Sequence, residues 1–445
     1  MLQSDRRALF HAHRERALER LARDNACALL FSGSPRIRNH DAEHRFRPDS
    51  DFWHATGFGE PESVLVLAPQ HPETKSVLFL REREREQEIW NGRRLGVAAA
   101  PAALGVDRAH PIGELWSRLP ELLRRHERLV YRAGLDEARD RHVIALLGRV
   151  RPTIRNGAVA PQQWVDPALS LHELRLFKTS GELECMRRAA AISAAAHTAC
   201  MRAARAGVHE RELDALLDYE FMRRGASGAA YTNIVAAGEN ACILHYVEKA
   251  SELRDGELLL VDAGAEFECY ASDVTRTYPV GGRFGAEQRA LYELVLRVQK
   301  ECIELVAPGR SFWDVHEHAV RELTRGLIAL GLLAGPLEDA LAKETYKRFY
   351  MHRTSHWLGL DVHDCGAYHV DGAGRVLESG MVLTVEPGLY VAPDDETVER
   401  RWRGLGVRIE DDVLVANEGR EVLTEAIPKE IAELEALVGT GALPS

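Results

Sequence analysis

Five residues in the second half of the sequence have the types and the spacing of a metal-binding set. They are four acids and one histidine, namely Asp262, Asp273, His356, Glu386 and Glu410. Each acid lies in or directly after an apolar, strand-like run, where an isolated charge is costly to bury. Taken singly, an acid at a strand end is more often a turn or cap residue. Four acids that converge in one sheet, however, cannot all remain ionised without cations.

The donor types indicate which cations would neutralise such a set. Two divalent ions carry four positive charges and match four carboxylates. A set rich in oxygen donors with a single imidazole suits Mn²⁺ and similar hard ions better than it suits a structural zinc. Two metal ions about 3.5–4 Å apart, bridged by carboxylates, are a known hydrolytic arrangement. We therefore predict a hydrolase with two divalent metal ions, and we expect Mn²⁺.

Histidines cluster in the same half of the chain. The sequence has 19 histidines, and His352, His356 and His363 fall within one short segment. A lone histidine is more often a packed or surface residue, so the prediction rests on the clustering. The glycines, tryptophan and aspartates between them predict a rigid loop that directs several imidazoles to one point. His245 follows another apolar stretch and is a candidate to join them.

The elements that must position these residues are short strands among long helices. Strand-like runs rich in valine, leucine, isoleucine, threonine and tyrosine cover residues 257–263, 268–280, 381–386 and 405–416. Helical patterns cover residues 181–206, 209–224, 286–306, 312–330 and 337–347.

The first half of the chain has a different pattern. A charged amphipathic helix is predicted over residues 6–24, and strand-like runs then alternate with helical stretches, which predicts a sheet covered by helices. The strand-like runs are 28–31, 63–67 and 76–80, and the helical stretches are 113–126 and 136–149. Prolines and weak periodicity between residues 150 and 174 mark a boundary. We predict an α+β protein with two domains, residues 1–173 and 174–445.

Composition and missing motifs exclude several classes of protein. The 445 residues carry a net charge of −11, which argues against nucleic acid or an anionic membrane as partner. The longest apolar run is too short for a bilayer, and the first 24 residues lack the apolar core of an export signal. Seven scattered cysteines form no C-x-x-C pair, so we expect a reduced, cytoplasmic protein. The P-loop, zincin and dinucleotide-binding motifs are absent.

The motifs around the five residues resemble those of a known family. The ordered set itself resembles the dinuclear metal set of the pita-bread metallopeptidases. The segments M-H-R-T-S-H-W-L-G-L-D-V-H-D from Met351, V-E-P-G-L-Y from Val385 and R-I-E-D-D from Arg408 resemble the bacterial aminopeptidase P family specifically. Segments that begin at Arg47 and Glu88 are similar to signatures of the same family. The resemblance covers almost the whole chain.

The resemblance implies a fold and an activity. It implies an N-terminal α/β domain like that of creatinase, followed by a pita-bread domain with a curved, mostly antiparallel sheet and covering helices. The implied reaction removes the N-terminal residue from peptides with proline at the second position, by attack of a hydroxide that bridges two metal ions. A homo-oligomer, either a dimer or a tetramer, is also implied, with the first domain serving oligomerisation and substrate access.

The resemblance assigns the metal ligands position by position. Asp273 and Glu410 would bridge the two ions. Asp262 would bind one ion only, and His356 and Glu386 would complete the other. Glu386 would also accept a proton from the attacking water.

Further roles are implied around the ligands. His363 and His352 would contact the scissile carbonyl and stabilise its oxyanion. His245 would contact the substrate, and Arg408 would orient groups near the metal carboxylates. Trp90 would reach the substrate site of a neighbouring subunit.

Two alternative readings remain open. A prolidase uses the same ligands on X-Pro dipeptides only, and some bacterial prolidases also hydrolyse organophosphate esters. A non-catalytic binding module can be built on the same fold. Such modules usually lose metal ligands, whereas this sequence keeps all five.

Overall fold

The structure, a computed structural model, describes residues 3–443. It divides the chain into two compact units, of which the first ends at Arg175 and the second begins at Leu176. The boundary between residues 173 and 174, and the roles given to the two domains, remain predictions. Residues 1–2 and 444–445, which the predicted domains include, lie outside the described residues. Over residues 3–443, no helix has the length and apolarity needed to cross a bilayer.

The first unit contains helices and short strands that alternate along the chain. In chain order these elements are α1 (Gln3–Arg23), β1 (Ala26–Phe31), β2 (Ile37–Asn39), β3 (Ala42–Glu43), α2 (Ser50–Thr56), β4 (Val64–Leu67), β5 (Ser76–Leu80), α3 (Arg85–Asn91), α4 (Ala100–Leu104), β6 (Arg108–Pro111), α5 (Leu115–Leu123), β7 (Arg128–Val130), α6 (Glu137–Val150), β8 (Gln163–Val165) and α7 (His172–Leu176).

A six-stranded mixed sheet is the centre of this unit, with strand order β6-β5-β4-β1-β7-β8. Strand β1 pairs antiparallel with β4 and parallel with β7. Successive side chains of a strand point to opposite faces. Cys27 and Leu29 therefore pack with α5 and α6, whereas Ala28 and Leu30 pack with α1 and α2. Helices cover both faces of the sheet, as the alternation along the sequence predicts.

The second unit consists of longer helices and several small sheets. Its elements are α8 (Ser180–Ala203), α9 (Glu210–Arg223), β9 (Gly228–Ala229), β10 (Ile234–Ala237), β11 (Leu258–Asp262), β12 (Ala265–Phe267), β13 (Tyr270–Ala271), β14 (Thr275–Pro279), α10 (Ala286–Leu305), α11 (Phe312–Ala329), α12 (Leu337–Ala342), β15 (His369–Val370), β16 (Ala373–Gly374), β17 (Val382–Val385), β18 (Gly388–Tyr390), β19 (Gly406–Arg408), β20 (Asp411–Val415), β21 (Arg420–Val422) and α13 (Ile431–Leu437).

The strand pairs of the second unit are antiparallel, among them β10-β11-β14, β17-β20-β21 and β18-β19. Residues of β11, β17 and β20 pack with α8, α10 and α11 in one large hydrophobic cluster. Capping boxes define where two of these helices begin. Thr179 caps α8 with Glu182, and Ser311 caps α11 with Asp314. These fixed helix ends and the shared core make a rigid support for the strand ends.

Two of the predicted strands are each broken near the middle. The run 268–280 forms β13 and β14, and the run 405–416 forms β19 and β20. Asp273 lies in the first gap and Glu410 in the second. The backbone N–H of Asp273 donates to the carboxylate of Asp412 at 3.2 Å, and that of Glu410 donates to the carbonyl of Thr275 at 3.1 Å. Contacts across the gaps therefore satisfy these backbone groups in place of a strand ladder.

The helix predicted over residues 337–347 is shorter than expected. Helix α12 ends at Ala342, and a separate 3₁₀ turn covers Thr345–Arg348. Glu344, between them, has a positive φ of 53°, which a continuous α-helix cannot accommodate.

Candidate metal centre

The hairpin that follows β11 brings two acids together. Asp262 is the last residue of β11 and faces Thr275, the first residue of β14, in antiparallel register. Asp273 lies two residues before Thr275. A Cβ atom at Gly264 would lie 1.6 Å from the carbonyl oxygen of Ser272, so this close approach requires glycine. The sequence Asp-Ala-Gly after β11 thus positions both acids.

The strands near the C-terminus position the remaining candidates. Glu386 directly follows β17, and Glu410 directly precedes β20, which pairs antiparallel with β17. The segment of His356 lies alongside β17. The backbone N–H of His356 donates to Oγ1 of Thr384 at 3.1 Å, and the Thr384 N–H donates to the carbonyl of His356 at 3.0 Å.

A cavity of about 560 Å³ collects these side chains, a volume typical of small-molecule sites. Nine of the predicted site residues line it, namely Asp262, Asp273, His356, Glu386, Glu410, His245, His352, His363 and Arg408. Trp90 lies elsewhere, on α3 of the first unit, and its side chain is 83% exposed. Its proposed contact with a neighbouring subunit remains a prediction.

The donor atoms are spaced as ligands of shared cations are. Asp273, His356 and Glu410 each offer a ligand atom, and these atoms lie within 4.8 Å of one another. Nε2 of His356 is 3.3 Å from Oδ2 of Asp273 and 3.6 Å from Oε1 of Glu386. Carboxylate oxygens with one imidazole nitrogen suit hard divalent ions. The donor set therefore fits the predicted metals.

The electrostatics of the site indicate a shortage of positive charge. Burial raises the pKa of Glu386 to about 7, and burial together with the neighbouring carboxylates raises the pKa of Glu410 well above its ordinary value. Burial opposes the charged form of His356, but its hydrogen bond to Asp273 and the charge of Glu386 raise its pKa to about 9. Buried acids crowded together with too few basic side chains are typical of a site that binds cations.

Arg408 compensates only part of this negative charge. Its guanidinium donates to Oδ2 of Asp262 at 2.6 Å, to the hydroxyl of Tyr390 at 2.9 Å and to Oγ1 of Thr275 at 3.0 Å. The side chain is buried, and all three of its guanidinium nitrogens donate hydrogen bonds. It therefore orients Asp262, as the orienting role predicted for it requires.

Three hydroxyl groups complete the site, although the sequence reasoning gave them no role. Tyr231 donates to Oδ1 of Asp262 at 2.6 Å, and Thr275 donates to Oε2 of Glu410 at 2.6 Å. The Tyr390 hydroxyl bonds to Nε2 of His352 at 2.9 Å as well as to Arg408. Thr275 stands two residues after Asp273, so strand alternation could have found it. Tyr390 ends the segment V-E-P-G-L-Y, so the family motif could have found it as well.

The three histidines around the ligands differ in their freedom. Burial lowers the pKa of His352 to about 3, and both of its ring nitrogens are engaged, one by Tyr390 and one by the carbonyl of Arg353. His245 and His363 are exposed, and neither side chain forms a hydrogen bond within residues 3–443. The ring of His363 stands edge-on to His356 with centroids 4.5 Å apart. These two imidazoles are available to a ligand.

Comparison with known proteins agrees with this geometry. The model of metallopeptidase family M24 matches residues 184–417, and that of the aminopeptidase P N-terminal domain matches residues 10–131. The chain is 44% identical to the Xaa-Pro aminopeptidase of Escherichia coli (strain K12) over 426 residues, which are 96% of each chain. The chain belongs to the aminopeptidase P family.

Other relatives extend the match across the aminopeptidase P family. Human Xaa-Pro aminopeptidase 3 is 34% identical over 413 residues, covering 92% of this chain and 80% of the human protein. The solved structure of Pseudomonas aeruginosa aminopeptidase PepP superimposes with a TM-score of 0.93 at 47% identity, over 98% of both chains. Zinc-substituted E. coli aminopeptidase P in complex with product gives a TM-score of 0.91 at 44% identity, over 97% of this chain and 98% of that one.

These matches confirm the predicted fold class. The chain is an α+β protein with the two-domain aminopeptidase P fold, in which a pita-bread domain of helices and antiparallel sheets follows the N-terminal α/β domain. The predicted relationship to bacterial aminopeptidase P is confirmed as well.

Proposed function

We propose that this protein is a metal-dependent Xaa-Pro aminopeptidase, which removes the N-terminal residue from peptides with proline at the second position. One observation carries the proposal. A single cavity is lined by all five predicted metal ligands together with His245, His352 and His363. The relatives named above that carry the same activity in their names support it.

The resident metals are proposed to be two Mn²⁺ ions. Asp262, Asp273, His356, Glu386 and Glu410 would hold these ions. The four carboxylates carry more negative charge than Arg408 and a single divalent ion neutralise, which supports two ions. When bound, such ions supply Lewis acidity and lower the pKa of a water molecule towards neutrality.

Glu386 is proposed as the group that moves the proton. A carboxylate on the cavity wall would accept a proton from water and return it during the reaction. Oε2 of Glu386 is 3.8 Å from Nδ1 of His352, and its backbone N–H donates to the carbonyl of Thr354 at 2.8 Å. The side chain is thus held in place at the wall of the cavity.

The exposed histidines are proposed to hold the substrate. His363 would donate to the scissile carbonyl, and His245 would contact the residues around it, because both imidazoles are free of internal hydrogen bonds over residues 3–443. The predicted role of His352 at the same carbonyl requires one of its ring nitrogens to leave Tyr390 or the backbone of Arg353. Arg408 keeps Asp262 oriented throughout.

The chemistry of the proposed site suits a bond to proline. Such a bond has no N–H, so a peptidase that grips that hydrogen binds it poorly. The groups on the cavity wall act on the carbonyl and on the α-amine instead. Asp262 would hold the free α-amine of the substrate, which would limit cleavage to one residue.

Assembly and location are parts of the same proposal. We infer a homo-oligomer, a dimer or a tetramer, in which the first domain contributes contacts and substrate access. Ile89 and Trp90 on α3 are 74% and 83% exposed, which is unusual for large apolar side chains and supports a protein contact there. The seven cysteines are scattered and form no C-x-x-C pair, which supports a cytoplasmic location.

The test is a matched pair of substrates, an X-Pro-Y tripeptide and the corresponding X-Pro dipeptide. The protein is stripped with a chelator and reloaded with Mn²⁺, Zn²⁺ or Mg²⁺, and release of the free first residue is measured. Cleavage of the tripeptide with little cleavage of the dipeptide is expected, with Mn²⁺ giving the highest rate. Strong preference for the dipeptide would identify a prolidase, and assay of an organophosphate ester would then follow.

A variant separates true hydrolysis from contamination. Glu386→Gln keeps the size of the side chain and removes its charge, so activity should disappear. Metal bound without hydrolysis of either peptide by the unaltered protein would contradict the proposed function.

A further inference from the structure

Two arginines line the cavity, and they are in opposite situations. Arg408 is buried and donates to Asp262, Tyr390 and Thr275. Arg353 is exposed, and within residues 3–443 its side chain forms no ion pair with a carboxylate and no hydrogen bond. The second arginine is therefore a cation at the mouth of the site with unused N–H groups.

The guanidinium of Arg353 is nevertheless held in one place. It lies over the ring of Trp313, with its central carbon 5.2 Å from the ring centroid. Trp313 is the second residue of α11 and packs against the ring of His369 with centroids 5.2 Å apart. Stacking on an aromatic face leaves the N–H edge of a guanidinium free for a planar, bidentate acceptor.

The residues immediately before and after Arg353 form hydrogen bonds with residues of the candidate metal centre. His352, immediately before it, bonds to Tyr390 at 2.9 Å. Thr354, immediately after it, is buried and accepts the backbone N–H of Glu386 at 2.8 Å. These hydrogen bonds anchor the backbone on both sides of Arg353 to the metal centre. The backbone of Arg353 is therefore held in place, unlike that of a long surface loop.

The charges along the cavity match those of a short peptide. The deep end contains the acids that would hold metals and an α-amine, of which Asp262, Asp273 and Glu410 are buried. The mouth contains Arg353. A peptide substrate of the proposed function carries an amine at the end that is cleaved and a carboxylate beyond the proline.

From this match we propose that Arg353 forms a subsite for a substrate carboxylate beyond the proline, a specificity that rests on the proposed function. The carboxylate has two possible sources. One is the C-terminus of a short peptide, and the other is the side chain of an aspartate or glutamate at the third or a later position. Either would accept two parallel N–H bonds from the guanidinium.

The experiment uses two pairs of peptides that differ only in the carboxylate. Ala-Pro-Gly is compared with its C-terminal amide, and Ala-Pro-Glu amide is compared with Ala-Pro-Gln amide. The metal-loaded protein should prefer the acid in at least one pair, by about fivefold in kcat/KM, as expected for one partly exposed ion pair. The preference should lie in KM, since Arg353 does not touch the reacting atoms.

Two variants and one control assign the preference to Arg353. Arg353→Gln should reduce this preference to about one. Arg353→Lys should retain part of it, because the charge remains and the planar fork is lost. Arg310→Gln removes one positive charge from an exposed arginine that does not line the cavity, and it should leave the preference intact.

Ionic strength supplies a readout that does not depend on any variant. An exposed ion pair weakens as salt rises, so the preference for the acid should shrink between about 0.05 and 0.5 M salt, where the Debye length falls several-fold. A length series of tri-, tetra- and pentapeptides, each as acid and amide, shows which C-terminus reaches the arginine.

The outcomes separate this subsite from the proposed function. Equal rates on acid and amide in both pairs, or an acid preference that Arg353→Gln keeps, would overturn the subsite while aminopeptidase activity stands. Failure to cleave any of the four peptides would overturn the proposed function and this inference with it. A salt-sensitive preference that disappears in Arg353→Gln alone is the expected result.

Discussion

Two groups of buried carboxylates lie next to each other along the chain and differ in their supply of positive charge. The metal centre is the group with too little positive charge. The other is built around Asp411, which is fully buried. Its Oδ1 accepts from Arg276 at 2.7 Å and from Thr424 at 2.7 Å, and its Oδ2 accepts from Lys429 at 2.5 Å and from Gln299 at 2.8 Å.

The pKa values of adjacent residues record this difference. Burial acts to raise the pKa of Asp411, but the charges of Arg276 and Lys429 bring it down to about 2. Burial and the charges of neighbouring acids raise the pKa of Glu410 well above its ordinary value, and the charge of Arg408 offsets only part of this effect. Burial is thus common to both residues. A shortage of positive charge, rather than burial, therefore distinguishes Glu410 from Asp411.

The largest expected effect is on the metal centre, the group with too little positive charge. Glu410→Gln removes a ligand charge, so the protein should lose bound metal, and hydrolysis of an X-Pro-Y peptide should fall at least about a thousandfold, or about 4 kcal/mol in activation free energy. Elemental analysis and the initial rate measure the two losses. Glu317→Gln, an exposed acid on α11, should change neither. Full metal content and activity in Glu410→Gln would remove this residue from the ligand set.

The next largest expected effect is on the group around Asp411, whose charge Arg276 and Lys429 neutralise. Asp411→Asn leaves the fully buried Arg276 without its counter-charge, which should lower the free energy of unfolding by about 3 kcal/mol. Chemical denaturation of the metal-free protein measures the change. The control is Asp339→Asn, because Asp339 pairs with Lys343 on the surface, where such a pair contributes less than about 1 kcal/mol. Similar small losses in both variants would mean that Arg276 finds other partners.

Sequence patterns could predict where acids meet a sheet. Asp262 ends the apolar run of β11, and the structure has it as the last residue of that strand. The alternation of Cys27 and Leu29 with Ala28 and Leu30 likewise follows from strand periodicity, and with it the double covering of the first sheet. These features depend on neighbours within a few residues, which is the range that a sequence pattern covers.

Features that depend on distant partners could not be predicted in the same way. Glu410, Asp411 and Asp412 are three consecutive acids, and nothing local tells which of them forms ion pairs with a buried arginine. The answer depends on Arg276, which is 135 residues from Asp411 in sequence. The break beside Asp273 has the same origin, because the carboxylate of Asp412 accepts its backbone N–H only after both strands have folded.

His197 lies next to the group around Asp411, and its pKa responds to the charges of that group. Nε2 of His197 donates to the carbonyl of Ala263 at 2.8 Å, and its Nδ1 is buried with no partner among residues 3–443. Burial, with a smaller contribution from the charge of Arg276, lowers the pKa of His197 to about 4. The unfolded chain therefore binds a proton that the folded protein rejects, and stability is lost as pH falls from about 6.5 through 4.

The expected size of this loss is on the order of 2 kcal/mol. Denaturation of the unaltered protein and of His197→Gln at several pH values between 7 and 4 measures it, and the variant should show the shallower dependence. His369→Gln, at an exposed position on β15, is the control and should keep the original slope. Identical slopes for all three proteins would mean that His197 is protonated at no cost in the folded state.

The smallest effect has the opposite sign to that of its neighbour. In the metal-free protein, Glu410→Gln should raise the free energy of unfolding by about 1 kcal/mol, because it removes one of several crowded buried charges while its amide oxygen still accepts from Thr275. The same carboxylate-to-amide change at Asp411 destabilises. Added Mn²⁺ should make the unaltered protein more stable than Glu410→Gln, since the ion stabilises only a protein that binds it. Destabilisation by both variants without metal would show that burial alone governs these acids and that the balance of charge does not.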